Sequence, residues 1–324
     1  MKRIISTCLL YVFFALPLTV NAQGSPPDLR RGDNLQNIPV GELVRTFIVY
    51  FPRSYRQIDG KRPAVLMLHG FGGNGDNALT QGKWREKAER ERFLAVGLDG
   101  VLANPSEREN FRRNPRSWNS GGLNEAPAEI QGIDDVAFVR ATIDWLIATN
   151  MVDPNRIFVT GFSNGAAMTF RVGIELSDQI AAIAPHSNHV YQRNFMLKRP
   201  VSALMIMGTA DPLNPLSGGA GKTILGEGNI RPPYSESWQV WSKALNCPTN
   251  AQKIYDQNGV QGFSYSPCKD GTEVAYYLVQ DMGHNWAGGR NFLPEFLVGK
   301  KSDAIDATDL IWQFFENHPR KADN

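Results

Sequence analysis

A serine lies between two glycines in the stretch Gly161-Phe162-Ser163-Asn164-Gly165, after the apolar run 157–160 and before small, helix-favouring residues. A serine on a sharp turn between a strand and a helix exposes its hydroxyl for nucleophilic attack. A Cβ at either glycine would crowd such a turn. The N–H groups that open the helix can stabilise an oxyanion. We therefore predict Ser163 to be a nucleophile for acyl transfer. The alternative is a serine in an ordinary glycine-rich turn.

Two residues that follow predicted strands can complete a proton-transfer chain with Ser163. Asp211 comes shortly after the apolar strand 203–207, and His284 follows the strand 273–279. A histidine in this role takes the serine proton and returns it to the leaving alcohol, while the carboxylate fixes the imidazole tautomer. The alternative for Asp211 is a turn residue that satisfies nearby backbone N–H groups.

The other four histidines do not follow both the serine and the acid in a suitable place. His69 precedes Ser163, and His186 and His189 precede the acid. His318 follows the last predicted helix and is expected to be solvated. With His284 as the base, the order along the chain is serine, acid, histidine. That order is found in α/β-hydrolases and differs from the orders in chymotrypsin and subtilisin.

A glycine-rich loop, His69-Gly70-Phe71-Gly72-Gly73-Asn74, follows the apolar strand 64–68. Such a loop can turn a backbone N–H toward a reacting carbonyl, although a plain glycine turn would have the same composition. Together with the N–H that follows the nucleophile, it would form an oxyanion hole. We therefore predict the backbone N–H groups of Phe71 and Asn164 to be the oxyanion donors.

Two tryptophans lie in loops near the predicted site. Trp118 is in the polar, arginine-rich loop 104–122, and Trp286 is close to His284. We predict both to contact the substrate; the alternative for Trp118 is that it anchors its loop. The loops around Trp118, Leu213 and Trp286 are expected to select the acyl group.

Predicted strands and helices alternate along the chain. Apolar or alternating runs predict strands at 43–51, 64–68, 93–98, 157–159, 180–184, 203–207 and 273–279. Helical spacing predicts helices at about 83–92, 134–147 and 307–315, and the glycine- and proline-rich residues 212–234 suggest an insertion near the site. This alternation indicates a single α/β domain over residues 41–320, with a mainly parallel sheet covered by helices on both faces. Chemistry in such a sheet gathers at the carboxyl ends of the strands.

The first residues are typical of a targeting segment. Lys2 and Arg3 precede an apolar run that ends at Val20-Asn21-Ala22. This pattern predicts a signal peptide over residues 1–22 that is cleaved after Ala22, so the protein is expected to be secreted or periplasmic. The run is too short to favour a membrane anchor. Residues 23–40 are rich in proline, glycine, asparagine and charge, and predict a flexible segment.

The cysteines agree with export. Cys8 lies in the predicted signal peptide, which leaves Cys247 and Cys268. An even pair in an exported protein predicts a disulfide between them. Two free thiols are the alternative. A metal site is not expected, because neither cysteine has a close His or Cys at ligand spacing.

These motifs together resemble a known family. They include His69-Gly70-Phe71-Gly72-Gly73, Ser117-Trp118-Asn119, Asp134-Asp135-Val136, Gly161-Phe162-Ser163-Asn164-Gly165, Gly208-Thr209-Ala210-Asp211, Gly283-His284-Asn285-Trp286 and Ile311-Trp312-Gln313-Phe314-Phe315. With them the chain resembles the secreted esterases that include polyhydroxybutyrate depolymerases and feruloyl esterases, similar to carbohydrate esterase family 1. The resemblance implies the α/β-hydrolase fold and a triad of Ser163, Asp211 and His284. The chain departs from the family at Met207 and at Pro215-Leu216, which border the acid loop.

The expected activity is that of a serine carboxylic ester hydrolase that needs no cofactor or metal. Its expected partner is a small or oligomeric ester, either a hydroxyalkanoate oligoester or a feruloyl or acetyl ester of plant cell walls. A hydrolase-fold binding protein without catalysis and a serine peptidase are the alternatives from other classes. The net charge of +2 and the absence of basic runs give no indication of nucleic acid as a partner, and none of a membrane.

Overall fold

A computed structural model describes residues 29–56, 60–122, 126–223 and 226–321. The predicted signal peptide and residues 23–28 of the predicted flexible segment lie outside these ranges. The strands are β1 Gly32–Val40, β2 Leu43–Phe51, β3 Arg62–Leu68, β4 Leu94–Leu98, β5 Val101–Leu102, β6 Arg116–Ser117, β7 Val152–Phe162, β8 Ala182–His186, β9 Ser202–Gly208, β10 Gly219–Thr223, β11 Gly226–Arg231, β12 Gln252–Gln257, β13 Val260–Tyr265 and β14 Val274–Val279. The helices are α1 Gly75–Gln81, α2 Trp84–Glu91, α3 Pro127–Ile130, α4 Asp135–Ala148, α5 Asn164–Glu175, α6 Ser235–Ala244, α7 Glu295–Val298 and α8 Ala307–Asn317.

One sheet of ten strands organises the described part of the chain, in the order β1-β2-β4-β3-β7-β8-β9-β14-β13-β12. The six strands from β4 to β14 run parallel. Antiparallel pairs flank them, β1 with β2 at one edge and β12 with β13 at the other. Because the central strands are parallel, their carboxyl ends meet at one edge of the sheet, where functional residues are expected to gather.

Each face of the sheet carries its own hydrophobic core. The strand β3 contributes Leu66 to one core and Met67 to the other, as the alternation of side chains along a strand requires. Helices α4, α5 and α6 cover the first face, while α1, α2 and α8 cover the second. The predicted mainly parallel sheet with helices on both faces is confirmed. Across the described ranges, no helix combines the length and the apolar character needed to cross a membrane.

The prediction of a flexible segment over residues 23–40 is wrong for its second half. Residues 32–40 form β1, which pairs with β2 along its whole length, from Gly32 opposite Phe51 to Val40 opposite Leu43. Leu35 is 65% exposed, whereas Ile38 is buried. A strand that buries so little apolar surface lacks the alternating pattern of a half-buried strand. Backbone hydrogen bonds to β2 hold it in place, and composition does not reveal them.

The region between the two cysteines is a hairpin. Strands β12 and β13 pair antiparallel and extend the sheet beyond β14, where the sequence analysis identified no strand. Cys247 and Cys268 form a disulfide with their Cα atoms 4.1 Å apart, which confirms the predicted pairing. The bond joins the chain after α6 to the chain after β13.

Candidate active site

Ser163 lies on the turn between β7 and α5, as predicted. Its φ of 55° and ψ of −121° are unfavourable for a residue with a side chain. Hydrogen bonds of both the N–H and the carbonyl group of Ser163 hold this conformation. The Ser163 N–H donates to the carbonyl of His186 at 3.0 Å, and its carbonyl accepts from Ala166 N at 2.8 Å and from Asn188 Nδ2 at 2.9 Å. The backbone is therefore held in a strained turn, and the half-buried serine on it lines the neighbouring cavity.

The two glycines of the turn have the steric role predicted for them. A Cβ on Gly165 would lie 2.1 Å from the carbonyl oxygen of Leu68, at the end of β3. A Cβ on Gly161 would lie 2.4 Å from the carbonyl oxygen of Gly165. Carbon and oxygen atoms that are not bonded do not approach so closely. The absence of both side chains lets α5 begin directly against β3 and β7.

His284 and Asp211 are paired beside the turn between β7 and α5 that carries Ser163, which we call the elbow. Nδ1 of His284 lies 2.7 Å from Oδ2 of Asp211, and both side chains are buried. The other carboxylate oxygen, Oδ1, accepts from the N–H groups of Leu213 and Asn214, each at 2.9 Å. Asp211 thus has both of the roles considered from the sequence, as a turn residue and as the partner of the histidine. Since Nδ1 is bound to the carboxylate, Nε2 is the imidazole nitrogen available to a substrate or to Ser163.

The glycine loop packs against the elbow. A Cβ on Gly70 would lie 3.3 Å from Cβ of Ser163, and the loop is closed by a hydrogen bond from Gly73 N to Gly70 O at 3.0 Å. Phe71 and Asn164 line the same cavity as Ser163 and His284. Asn164 is the first residue of α5, where backbone N–H groups have no partner within the helix. The two predicted oxyanion donors therefore border one cavity.

Three other histidines are buried and uncharged. Burial lowers the pKa of His69 to about 4 and those of His186 and His189 to about 3. His69 accepts from Gly100 N through Nε2 and lies 2.7 Å from Gly70 O through Nδ1, so it braces the glycine loop. His318 was expected to be solvated, but it lies 2.7 Å from Phe314 O through Nδ1 and its side chain is only 13% exposed.

The predicted substrate contacts of Trp118 and Trp286 are wrong. Both side chains are buried, Trp118 with 0% and Trp286 with 1% exposed surface. The indole of Trp118 donates to the carbonyl of His69 at 2.9 Å, and that of Trp286 donates to Thr308 Oγ1 at 3.0 Å. Each ring is enclosed by other aromatic rings, including Phe138 for Trp118 and His186 for Trp286. Neither indole reaches the cavity, and the burial of Trp118 agrees with the alternative considered for it, that it anchors its loop.

A cavity of about 720 Å³ opens above Ser163. Its apolar lining is Phe71, Phe111, Ala126, Phe162, Leu213, Leu293, Leu297 and Val298. Its polar lining is Arg112, Ser120, Glu129, Asn188, Tyr191, Asn214, Lys222 and Arg231, beside Ser163, Asn164 and His284. Of the three loops expected to select the acyl group, the one around Trp118 contributes Phe111, Arg112 and Ser120 to the wall, and the one around Leu213 contributes Leu213 and Asn214. The segment 293–298 was missed, because it carries neither a motif nor a clear periodicity.

The chain is similar to known esterases. Residues 55–222 match the profile of the phospholipase/carboxylesterase family. Feruloyl esterase B of Piromyces equi is 24% identical over 260 residues, which cover 78% of this chain but only 45% of that protein. A probable feruloyl esterase C of Aspergillus niger is 24% identical over 278 residues, or 84% of this chain and 83% of the relative.

The fold has relatives among solved structures. An acetyl xylan esterase from Aspergillus awamori superposes with a TM-score of 0.54 at 13% sequence identity, over 87% of this chain and 99% of that one. At such identity the likeness concerns the fold alone. It confirms the predicted α/β-hydrolase fold, and the relatives confirm the predicted resemblance to feruloyl esterases.

Proposed function

We propose that this chain, which belongs to the phospholipase/carboxylesterase family, is an exported serine ester hydrolase with Ser163, His284 and Asp211 as its catalytic triad. The observation that carries the proposal is the 2.7 Å contact between His284 Nδ1 and Asp211 Oδ2, in a cavity that Ser163 also lines. The predicted signal peptide and the disulfide between Cys247 and Cys268 support export.

The proposed reaction has two steps. In the first, Ser163 Oγ attacks the ester carbonyl, and its proton passes to Nε2 of His284 and from there to the leaving alcohol. The acyl group is then bound to the serine. In the second, water attacks the acyl-enzyme and gives its proton to His284; His284 then passes this proton to Ser163 Oγ as the acid leaves, which restores both residues. Asp211 keeps the imidazole in the tautomer that presents Nε2 as the base and stabilises the imidazolium that forms.

The negative charge of each tetrahedral intermediate develops on the former carbonyl oxygen. The backbone N–H groups of Phe71 and Asn164 are the proposed hydrogen-bond donors to this oxygen. Loss of one such donor typically costs about 3 kcal/mol of transition-state stabilisation. The start of α5 adds the positive end of a helix dipole at the same place.

For the substrate we propose an ester of an aromatic acid, such as a feruloyl ester of a plant polysaccharide, with acetylated xylan as a close alternative. The names of the similar proteins support this class, and the rings of Phe71 and Phe111 in the cavity wall suit an aromatic acyl group. A hydroxyalkanoate oligoester is the second candidate. The aliphatic side chains of Leu213, Leu293 and Leu297 in the same wall favour it.

Replacing Ser163 with alanine tests the mechanism. The variant is expected to lose ester hydrolysis by a factor on the order of a million and to stop reacting with a serine-directed phosphonate. Ser242→Ala is the matched control, because the Ser242 hydroxyl donates to the carbonyl of Gln239 within α6. Hydrolysis that survives in Ser163→Ala, or a wild-type protein inert toward every short-chain p-nitrophenyl ester, would contradict the proposal. The second result would favour a binding protein.

A substrate panel tests the specificity. The values of kcat/KM for methyl ferulate, acetylated xylan and 3-hydroxybutyrate oligomers are compared with the same enzyme preparation. Preference for methyl ferulate supports the aromatic ester. Preference for the oligomers would replace it with the hydroxyalkanoate oligoester.

A further inference from the structure

The segment 116–119, which we call the clamp segment, contacts both elements that carry the proposed oxyanion donors, the glycine loop with Phe71 and the start of α5 with Asn164. The carbonyl of Arg116 accepts from Gly72 N of the glycine loop at 2.8 Å. The indole Nε1 of Trp118 donates to the carbonyl of His69, two residues before Phe71, at 2.9 Å. These two bonds hold the glycine loop before and after Phe71.

The same segment holds the elbow. The N–H of Trp118 donates to Oδ1 of Asn164 at 2.7 Å, and the carbonyl of Trp118 accepts from Nδ2 of Asn164 at 3.2 Å. The Asn164 side chain is thus held by both of its polar atoms. Because the N–H of Asn164 is one of the proposed oxyanion donors, this pairing fixes the residue that carries it.

The clamp segment is anchored in the core. The N–H of Asn119 donates to Oδ2 of Asp135 at 2.7 Å, and Arg45 bonds the other carboxylate oxygen at 2.7 Å. Arg45 is 3% exposed and Asp135 is fully buried. The carbonyl of Asn119 also accepts from Arg171 of α5 at 2.7 Å. The indole of Trp118 lies nearly parallel to the ring of Phe138, at an interplanar angle of 13°. Because these contacts fix the clamp segment to the core, it has little freedom to move with the glycine loop or with the start of α5.

We propose that Trp118 is a positioning residue that sets the separation of the two oxyanion donors. The donors belong to different elements, a loop after β3 and the start of α5, and the clamp segment bonds to both. This inference rests on the proposed function, since it concerns how that site stabilises the oxyanion. A displacement of about 1 Å in such a site can cost about a hundredfold in rate.

Trp118→Phe tests the inference, because it removes the indole N–H and keeps an aromatic ring against Phe138. We expect kcat to fall about 10- to 100-fold, with KM within about twofold of the wild type. The affinity for a trifluoromethyl ketone, which binds serine hydrolases as a tetrahedral adduct, should fall by the same factor as kcat/KM. Inhibition by the planar product acid should not change.

Trp241→Phe is the matched control. Trp241 is also fully buried, and its indole donates to a backbone carbonyl, that of Val201, at 2.9 Å. It belongs to α6 and packs against Phe170 and Phe195, outside the cavity lining. Both variants lose one buried hydrogen bond. A loss of stability alone should therefore be similar in both, whereas the loss of ketone affinity is expected for Trp118→Phe alone.

Asn164→Ala provides the second variant, which decides the matter if Trp118→Phe does not fold. It removes both side-chain bonds to Trp118 and keeps the backbone N–H, so it should show the same parallel fall in kcat and ketone affinity. If an active wild type yields variants with unchanged ketone affinity, the inference is overturned and the proposed function stands. A wild type that neither hydrolyses esters nor binds the ketone would overturn the proposed function itself.

Discussion

Replacing Gly165 with alanine tests how closely the elbow packs against β3. Gly165 is the second residue of α5, and alanine at a helical position is normally favourable by up to about 1 kcal/mol over glycine. Here the added Cβ would lie 2.1 Å from Leu68 O and 2.5 Å from His69 O. Ordinary carbon–oxygen contacts are about 3.3 Å or longer, so the helix start and the strand end must separate by about 1 Å.

The expected sign is therefore opposite to that of helix propensity. Both obstructing atoms are backbone oxygens at the end of β3, which cannot rotate away as a side chain can. Overpacking of this kind costs about 1–3 kcal/mol, and we expect the free energy of unfolding to fall by about 2 kcal/mol. The same separation moves Ser163 and Asn164 away from the glycine loop. We expect kcat to fall about a hundredfold.

Gly173 supplies the control in the same helix. A Cβ there would meet Ile183 Cδ1 and Trp241 Cη2, each at 3.0 Å, and Ile183 Cγ2 at 3.1 Å, all side-chain atoms that need to move by only a few tenths of an ångström. We expect Gly173→Ala to stay within about 1 kcal/mol of the wild type and to keep its kcat. Urea unfolding at 25 °C and p-nitrophenyl acetate hydrolysis measure both quantities. Equal stability and equal kcat in the two variants would refute the packing argument.

Two further predictions concern stability. Replacing both Cys247 and Cys268 with serine should lower the free energy of unfolding by about 3 kcal/mol and leave kcat unchanged; equal urea midpoints with and without the disulfide would contradict this. His189 has a pKa lowered to about 3, first by burial and then by Arg231, and neither ring nitrogen has a hydrogen-bond partner among the described residues. A histidine kept neutral stabilises the fold above its unfolded pKa near 6.5, and this contribution is lost as the pH falls from there toward 3. Between pH 7 and pH 5, the free energy of unfolding of His189→Phe should therefore fall by about 2 kcal/mol less than that of the wild type. An equal fall in the two proteins, measured by urea unfolding at each pH, would contradict this prediction.

The sequence predicted most of the central sheet because its strands are apolar runs of strand length. β3, β4, β9 and β14 are buried on both faces, and such runs are visible without knowledge of their partners. The predicted strand 43–51 coincides with β2. By contrast, β1 and the hairpin β12–β13 lie at the edges and bury few side chains. Their stability comes from pairing with distant residues, which a local pattern does not encode.

The candidate site was predictable to the extent that its residues follow strands. Ser163, Asp211 and His284 come at or just after the carboxyl ends of β7, β9 and β14, so their order along the chain indicated that they meet. The contact of His284 with Asp211 agrees with that expectation, while the catalytic role of the three residues stays a prediction. Trp118 and Trp286 were misjudged because a tryptophan near a site has the same sequence signal whether it faces the cavity or the core.

The residues proposed to perform the chemistry and those proposed to select the substrate have different structural origins. The elbow, the acid and the base are held by backbone geometry that tolerates few alternatives. At Gly165, for example, an added Cβ would lie only 2.1 Å from the carbonyl oxygen of Leu68. Most of the cavity wall comes from three segments that lie between the strands of the sheet or after the last one. The first contributes Phe111, Arg112, Ser120, Ala126 and Glu129, the second Leu213, Asn214, Lys222 and Arg231, and the third Leu293, Leu297 and Val298. Loops of this kind accept changes in length and composition without disturbing the sheet. Changes in these three segments can therefore alter the acyl preference while the elbow stays the same. For this reason the local motifs indicate the reaction, ester hydrolysis, more clearly than they indicate which ester is the substrate.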